Sequence, residues 1–302
     1  MVEQWVYDFK DLLFESITKL PDDFSLSFSG GIESSMLLFS MLQLKKLPKE
    51  LVTFKIKGVD SRDFYFTEKI AKHYQIPLKV AVIDPVISQK ELKNEIKEIL
   101  RVTRLVRNID TQCCYAFSKM IPLISTDVLV TGFYEDILYE SNKKLSIKWG
   151  DWKKGVITRK EFDDYYNQSR RYKFLDQNNN GKEHNYSVIR RFLDHHKIEL
   201  QCPIKTTPIF NLFQTLTFEQ TNRNPFTQKM KKKWFITKVL FKKEFDLFQN
   251  SNNSNNMQIE SGMKELHREI LLANTTFKDT VAIYNQIMRE IEQEDFLSII
   301  GE

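Results

Sequence analysis

The chain has 302 residues, room for one large or two ordinary domains with a buried core, and 41% hydrophobic with 13% aromatic content excludes a disordered polymer. Its net charge of +5 is modest for that length. No apolar run approaches the roughly 20 residues that span a bilayer, and Met1-Val2-Glu3-Gln4-Trp5 lacks a basic stretch followed by an apolar one, so a soluble, cytoplasmic protein without a membrane partner is expected.

Trp5, Val6, Phe9, Leu12, Leu13 and Ile17 share one helical face and predict a helix ending near Lys19, stopped by Pro21-Asp22-Asp23. Phe24, Leu26 and Phe28 then alternate with Ser25 and Ser27 at period two, Gly30 and Gly31 break the pattern, and from Ser34 apolar residues fit a helix to about Leu44. That is a strand, a tight turn and a helix start. The first-turn N–H groups of such a helix have no partner within it and sit at the positive end of its dipole, which makes the junction a ready anion site. Two adjacent glycines let a phosphate come close to the backbone, Ser29, Ser34 and Ser35 bring hydroxyls, and Glu33 brings a carboxylate where a phosphate-bound metal can be held.

Residues 51–56 predict a second strand and Leu78 to Ile83 a third, separated by a helix through Thr67 to Tyr74 that Ser61 or Asp63 can cap. Two helical stretches, about 91–105 and 111–123, precede a fourth strand, Asp127 to Thr131, that enters a glycine turn at Gly132 followed by Glu135 and Asp136. Strands alternating with helices imply a mostly parallel sheet that takes ligands at its carboxyl ends, where residues 29–35 sit. Beyond Ser141 the strand signal fades. Helices are expected through residue 245, the His195-His196 pair reads as solvated helix-end residues, and Asn250 to Asn256 reads as a flexible Asn/Ser loop before helices at 259–273 and 280–299. Cys113 and Cys114 are adjacent and Cys202 is distant, which is neither a disulfide framework nor zinc spacing, so buried thiols are expected at all three. Gln228 to Lys243 holds seven lysines and no acid, but Trp234, Phe235, Ile236, Val239, Leu240 and Phe241 interleave with them at helical spacing. An amphipathic helix explains that run at least as well as a nucleic-acid partner, which is not expected.

The order Ser-Gly-Gly-x-acid-Ser at 29–34 resembles the pyrophosphate loop of the ATP pyrophosphatase superfamily, whose usual form has Asp where Glu33 stands. Residues 1 to about 245 resemble the synthetase domain of the asparagine synthetases and β-lactam synthetases. The family's second motif lies over residues 130–137, with Gly132 and Asp136 matching, and its lysine segment lies over residues 224–236, with Lys233 in the best register and Lys232 as the alternative. The resemblance implies an α/β fold of the adenine nucleotide alpha hydrolase (HUP-like) type. Its parallel sheet would occupy about residues 20–140, a helical part 141–245, and further helices 246–302. It also implies ATP held by Ser29, Gly30, Gly31, Ile32, Ser34, Ser35, Phe54, Thr131 and Gly132, Mg²⁺ on Glu33 and Asp136, and Lys233 or Lys232 near the α-phosphate.

The reaction so implied is an AMP- and pyrophosphate-forming amide ligation, in which a small-molecule carboxylate is adenylated and passed to ammonia or an amine. The chain reaches its ATP loop within 30 residues of Met1 and shows no glutaminase domain before it, so a separate glutaminase subunit, free ammonia or an amine substrate is expected to bring the nitrogen. A catalytically weak nucleotide-binding partner protein and an enzyme acting on a nucleobase or tRNA remain as alternatives.

Overall fold

A computed structural model describes residues 3–132, 143–175, 185–222, 234–248, 261–273 and 275–300. In chain order the elements are α1 (Gln4–Thr18), β1 (Ser25–Ser27), α2 (Ile32–Leu44), β2 (Glu50–Ile56), α3 (Arg62–Tyr74), β3 (Leu78–Ile83), α4 (Gln89–Thr103), α5 (Asn108–Met120) and β4 (Val128–Thr131). There follow α6 (Lys143–Lys153), α7 (Arg159–Phe174), α8 (Asn185–His195), β5 (Glu199–Gln201), α9 (Thr207–Gln214), α10 (Phe218–Asn222), a π-helical turn over Ile236–Leu240, α11 (Lys242–Phe248), α12 (Met263–Leu272) and α13 (Thr280–Ile300).

The five strands form one sheet in the order β3-β2-β1-β4-β5, and every neighbouring pair is parallel. Alternation along the strands builds two apolar layers, because successive side chains point to opposite faces. Leu26, Leu51, Val128 and Val130 face a cluster with α1, α2, α3, α9 and α11. Val52, Phe54, Ile56, Leu129 and Leu200 face a second cluster with α4, α5, α8, α12 and α13. The helices leaving β1 and β2 thus cover one face, and those between β3 and β4 cover the other. The α/β architecture expected from the alternating elements is the one found.

Some local expectations need correction. Helix α2 begins at Ile32, two residues earlier than expected, with Gly31 as its N-cap residue. Helix α3 begins at Arg62, and of the two expected caps Ser61 is the one used, accepting a hydrogen bond from the Phe64 N–H at 3.3 Å. A fifth strand exists where only the end of the strand pattern was expected. Glu199–Gln201 is three residues long, too short to display a period, and only its pairing with Val128–Val130 of β4 defines it. Cys113 and Cys114 are buried as expected, whereas Cys202 is half-buried because it lies just past the end of this edge strand.

Helices α12 and α13 are built into the second apolar layer through Met263, Leu266, Leu271, Ile283, Tyr284, Ile287 and Ile291. The Gln89 side-chain amide donates to the carbonyls of Ile270, Leu271 and Ala273, closing the end of α12. Lys97 and Arg101 of α4 both meet Glu294 of α13 at 2.5 Å. Among the described residues no helix is long and apolar enough to cross a membrane.

Candidate nucleotide-binding site

In an open parallel sheet the chain leaves adjacent strands in opposite directions at one point, and the crevice there is where such sheets take ligands. Here that point lies between β1 and β4. The Ser29–Ser35 turn follows β1 and Gly132 follows β4, so the two glycine turns singled out in the sequence meet at the same edge. The contact is direct. A Cβ on Gly132 would stand 2.9 Å from the Glu33 carbonyl carbon and 3.0 Å from the Ser34 nitrogen, distances that only a residue without a side chain allows.

Gly30 is fixed by a different neighbour. Its φ is +76°, in the left-handed region, and a Cβ there would meet the Asp63 carbonyl oxygen at 2.2 Å and Thr67 Oγ1 at 2.8 Å. The turn therefore presses against the first turn of α3 on one side and the end of β4 on the other. Thr67 completes that wall by donating its hydroxyl to the Asp63 carbonyl at 3.1 Å.

Within the turn the serines tie the backbone together. The Gly31 N–H donates to Ser29 Oγ at 3.3 Å, the Ser34 hydroxyl donates to the Gly31 carbonyl at 3.2 Å, and the Ser35 hydroxyl reaches the Gly30 carbonyl at 3.5 Å. Ser29 Oγ and Ser34 Oγ are 3.3 Å apart, so with the Ser34 proton on Gly31 the Ser29 hydroxyl is the donor of that pair. Ser35 is fully buried and Ser34 nearly so, and both act on the shape of the turn. Ser29 and Glu33 are the half-exposed members. The carboxylate of Glu33 lies back over the turn, with Oε2 3.5 Å from where a Gly31 Cβ would stand.

The start of α2 carries the chemical meaning of this arrangement. Ile32 and Ser34 are buried and no side chain caps the helix, a lack that α2 shares with α1, α5, α9 and α12; what sets α2 apart is the pair of glycine contacts at its start. A buried helix start without a cap is an anion site in waiting, since its N–H groups and dipole favour negative charge. ATP fits that requirement through its phosphates. A magnesium ion fits it through Glu33, because Mg²⁺ takes one or two carboxylates together with phosphate oxygens and water. Among the described residues no group of three or more His, Cys, Asp or Glu side chains forms a metal site of its own.

The remaining expected site residues fall as follows. Thr131 is the last residue of β4, buried, and opposite Ser27. Phe54 pairs with Ala81 across β2 and β3, and its ring is buried in the second apolar layer. Asp136, Lys232 and Lys233 lie outside the described residues, as do the Asn/Ser tract at 250–256 and most of the lysine run. His195 and His196 are exposed at the end of α8, their rings 5.2 Å apart and at 89°, in keeping with helix-end residues.

Two features of this edge were not read from the sequence. The packing of Asp63 and Thr67 on Gly30 is tertiary and leaves no local signal. The register Val130↔Gln201 brings Cys202 beside Thr131, which follows from β5 alone. Further along the same edge Lys57 and Asp84, after β2 and β3, pair at 3.4 Å. The Val86 N–H, donating to Asp84, holds that carboxyl below its usual range, with Lys57 adding to the effect.

No protein-family model matches the chain, and no curated protein matches it. Solved structures that resemble it include the following two. One is a predicted subunit of tRNA methyltransferase from Methanocaldococcus jannaschii, 16% identical, over 62% of this chain and 92% of that one, with a TM-score of 0.26. The other is the U34-tRNA thiolase NcsA from Methanococcus maripaludis with its [4Fe-4S] cluster, 12% identical, over 92% of this chain and 84% of that one, with a TM-score of 0.30. At these scores neither likeness carries an argument, and the functional reading rests on the chain's own site.

Proposed function

We propose that this chain binds ATP at the Ser29–Ser35 turn and adenylates an acceptor, with pyrophosphate leaving from the turn. The observation that supports this most is the uncapped, buried start of α2, set between Gly30 and Gly132 at the carboxyl edge of the sheet. When an acceptor oxygen attacks the α-phosphate, the bond to the β-phosphate breaks and negative charge grows on the departing pyrophosphate. N–H donors fixed in advance act where that charge develops, and one such donor contributes roughly 3 kcal/mol. Ser29, Ser34 and Ser35 contribute by holding the turn so that those N–H groups need no rearrangement. A bound Mg²⁺ would neutralise and orient the phosphate oxygens, with Glu33 as the described residue to hold it.

The acceptor we favour from the sequence resemblance is a small-molecule carboxylate, whose acyl-adenylate ammonia or an amine then attacks. In that reading Asp136 is the second metal carboxylate, and Lys233, or Lys232, stabilises the phosphate or the oxyanion of the amide-forming step. A nucleobase or tRNA acceptor is the second reading. It is favoured by the uneven charge of the chain, since residues 143–175 hold 10 Lys and Arg against 4 Asp and Glu.

Exchange of labelled pyrophosphate into ATP tests both. Exchange that depends on an added acid supports the amide ligase, and exchange that depends on tRNA supports the second reading. ATP binding without exchange under either condition would leave a nucleotide-binding partner protein. Glu33→Asp should preserve or raise the exchange rate if Glu33 holds the metal, and a large loss would show that its longer reach is required.

A further inference from the structure

The nucleotide turn makes no use of the helical hairpin formed by α6 and α7. We propose that this hairpin docks single-stranded RNA, with a base stacked at Trp152 and the phosphates held by the lysines around it.

Charge is the first argument. The chain has 45 Lys and Arg against 40 Asp and Glu, so with the hairpin's 10 and 4 removed the rest holds 35 and 36 and is slightly negative. The surplus is therefore local. The hairpin's acids are largely committed as well. Arg159 takes Asp163 at 2.7 Å and Glu219 at 2.5 Å, and Glu161 closes the capping box with Thr158. Lys148, Lys153, Lys154, Lys160 and Arg171 have no acidic partner within ion-pair distance among the described residues; at longer range Glu161 acts on Lys148 and Glu219 on Lys153, and Asp151 and Asp164 also lie on the hairpin, which leaves the cations in excess. A dense set of unmatched cations attracts a polyanion.

The aromatic side chains narrow the class of polyanion. Trp152 is half-buried, with Lys153 Nζ 4.0 Å and the Arg159 guanidinium 4.6 Å from its ring centroid, and Trp149 lies 4.7 Å away. Both rings rest on a small apolar cluster of Leu145, Phe162, Tyr166 and Phe218 that is separate from the two layers of the sheet. The two cations lie over the indole ring itself, so a base stacks there by taking the place of the flexible Lys153 side chain, whose charge is then released to a phosphate. The sequence alone directed attention to the lysines of 228–243 and away from nucleic acid, and the proposal departs from that expectation. The proposal goes beyond the nucleotide turn and does not depend on it.

The test is fluorescence anisotropy of the full chain with a fluorescein-labelled, unstructured 20-nucleotide RNA between 50 and 300 mM KCl. Binding should weaken with salt at a log–log slope of about −3, as expected for four or five phosphate contacts on a single strand. Reversing Lys148, Lys153, Lys154 and Lys160 together to Glu should weaken binding at least about 100-fold, and Trp152→Leu about tenfold without changing the slope. Thermal melting verifies each fold, and replacing the same four lysines by Gln is the milder set should the reversal fail to fold. Three results would overturn the proposal: no binding at 50 mM KCl, undiminished binding by the four-lysine variants, or a Trp152→Leu variant that binds as the parent does. Vesicles containing 30% phosphatidylserine are the competing probe, because Ile147 and Val156 are exposed on this hairpin. Capture of those vesicles without RNA binding would also overturn it, in favour of a membrane surface.

Discussion

The two ends of β1 use the same residue types to opposite effect. At the amino end, Ser25 donates to Glu50 Oε1 at 3.0 Å and lies 2.9 Å from Thr126 Oγ1, and the Ser125 N–H donates to the same Glu50 oxygen at 2.8 Å. Ser25, Glu50 and Thr126 are all buried, so a charged side chain is enclosed by fixed donors and the end is closed. At the carboxyl end the serines hold a turn together, but the helix start behind it is left without a cap. One end of the strand is closed by side chains of distant segments, the other by the turn's own serines.

Substitutions at the two ends should separate these roles. The largest effect is expected for Gly30→Ala, which places a Cβ 2.2 Å from the Asp63 carbonyl at a residue with φ of +76°. Strain and overpacking together should cost about 3–5 kcal/mol, read as a fall in melting temperature or as failure to fold. Glu50→Ala should follow, at about 1–3 kcal/mol, because it takes the acceptor from the buried Ser25 hydroxyl; an unchanged denaturant midpoint would break the comparison. Gly31→Val has a different signature. Its Cβ would meet side-chain atoms at 3.2 and 3.5 Å, so stability should fall by no more than about 1 kcal/mol while ATP affinity, measured by calorimetry, falls at least about 30-fold. Retained affinity would show that the turn does not hold the nucleotide.

A last probe involves neither end and calibrates the acid titrations needed to compare them. His267 is buried between α12 and α13, with Nδ1 2.7 Å from the Tyr284 hydroxyl and the Tyr115 ring packed edge-on against it. Burial lowers its pKa from 6.5 to about 3. The unfolded chain therefore takes up a proton near pH 6.5 that the folded chain refuses until about pH 3. The neutral imidazole's contribution is complete above pH 6.5 and is lost as pH falls through that window, at about 1.4 kcal/mol per pH unit. His267→Phe should flatten the dependence of stability on pH between 4 and 6.5, and an unchanged slope would mean that other groups set it.

Much of this was legible before any coordinates. Alternation at Phe24, Leu26 and Phe28, the glycine pair and the apolar run after it placed the turn and the helix behind it, because each signal is local. The parallel sheet followed from strands that alternate with helices. What the sequence concealed depends on contacts between distant segments. Gly30 and Gly132 carry no label saying that α3 and α2 lie against them, and β5 is too short to announce itself. Asp63 and Thr67 read as ordinary helix residues until Gly30 is seen pressed on them. The hairpin's charge surplus was overlooked for a related reason: counting charge along the chain favoured the longer lysine run, whereas only packing shows which acids are already paired.

The layer on the α4 and α5 side of the sheet joins Val52 to Ile291, and Gln89 fastens α12 from the far end of the chain. At ordinary rates of translation, the interval between making those two residues is roughly 10 to 50 seconds. During that time α4, α5 and α8 cover this face without α12 and α13, so the layer is finished only by the last helices to be made.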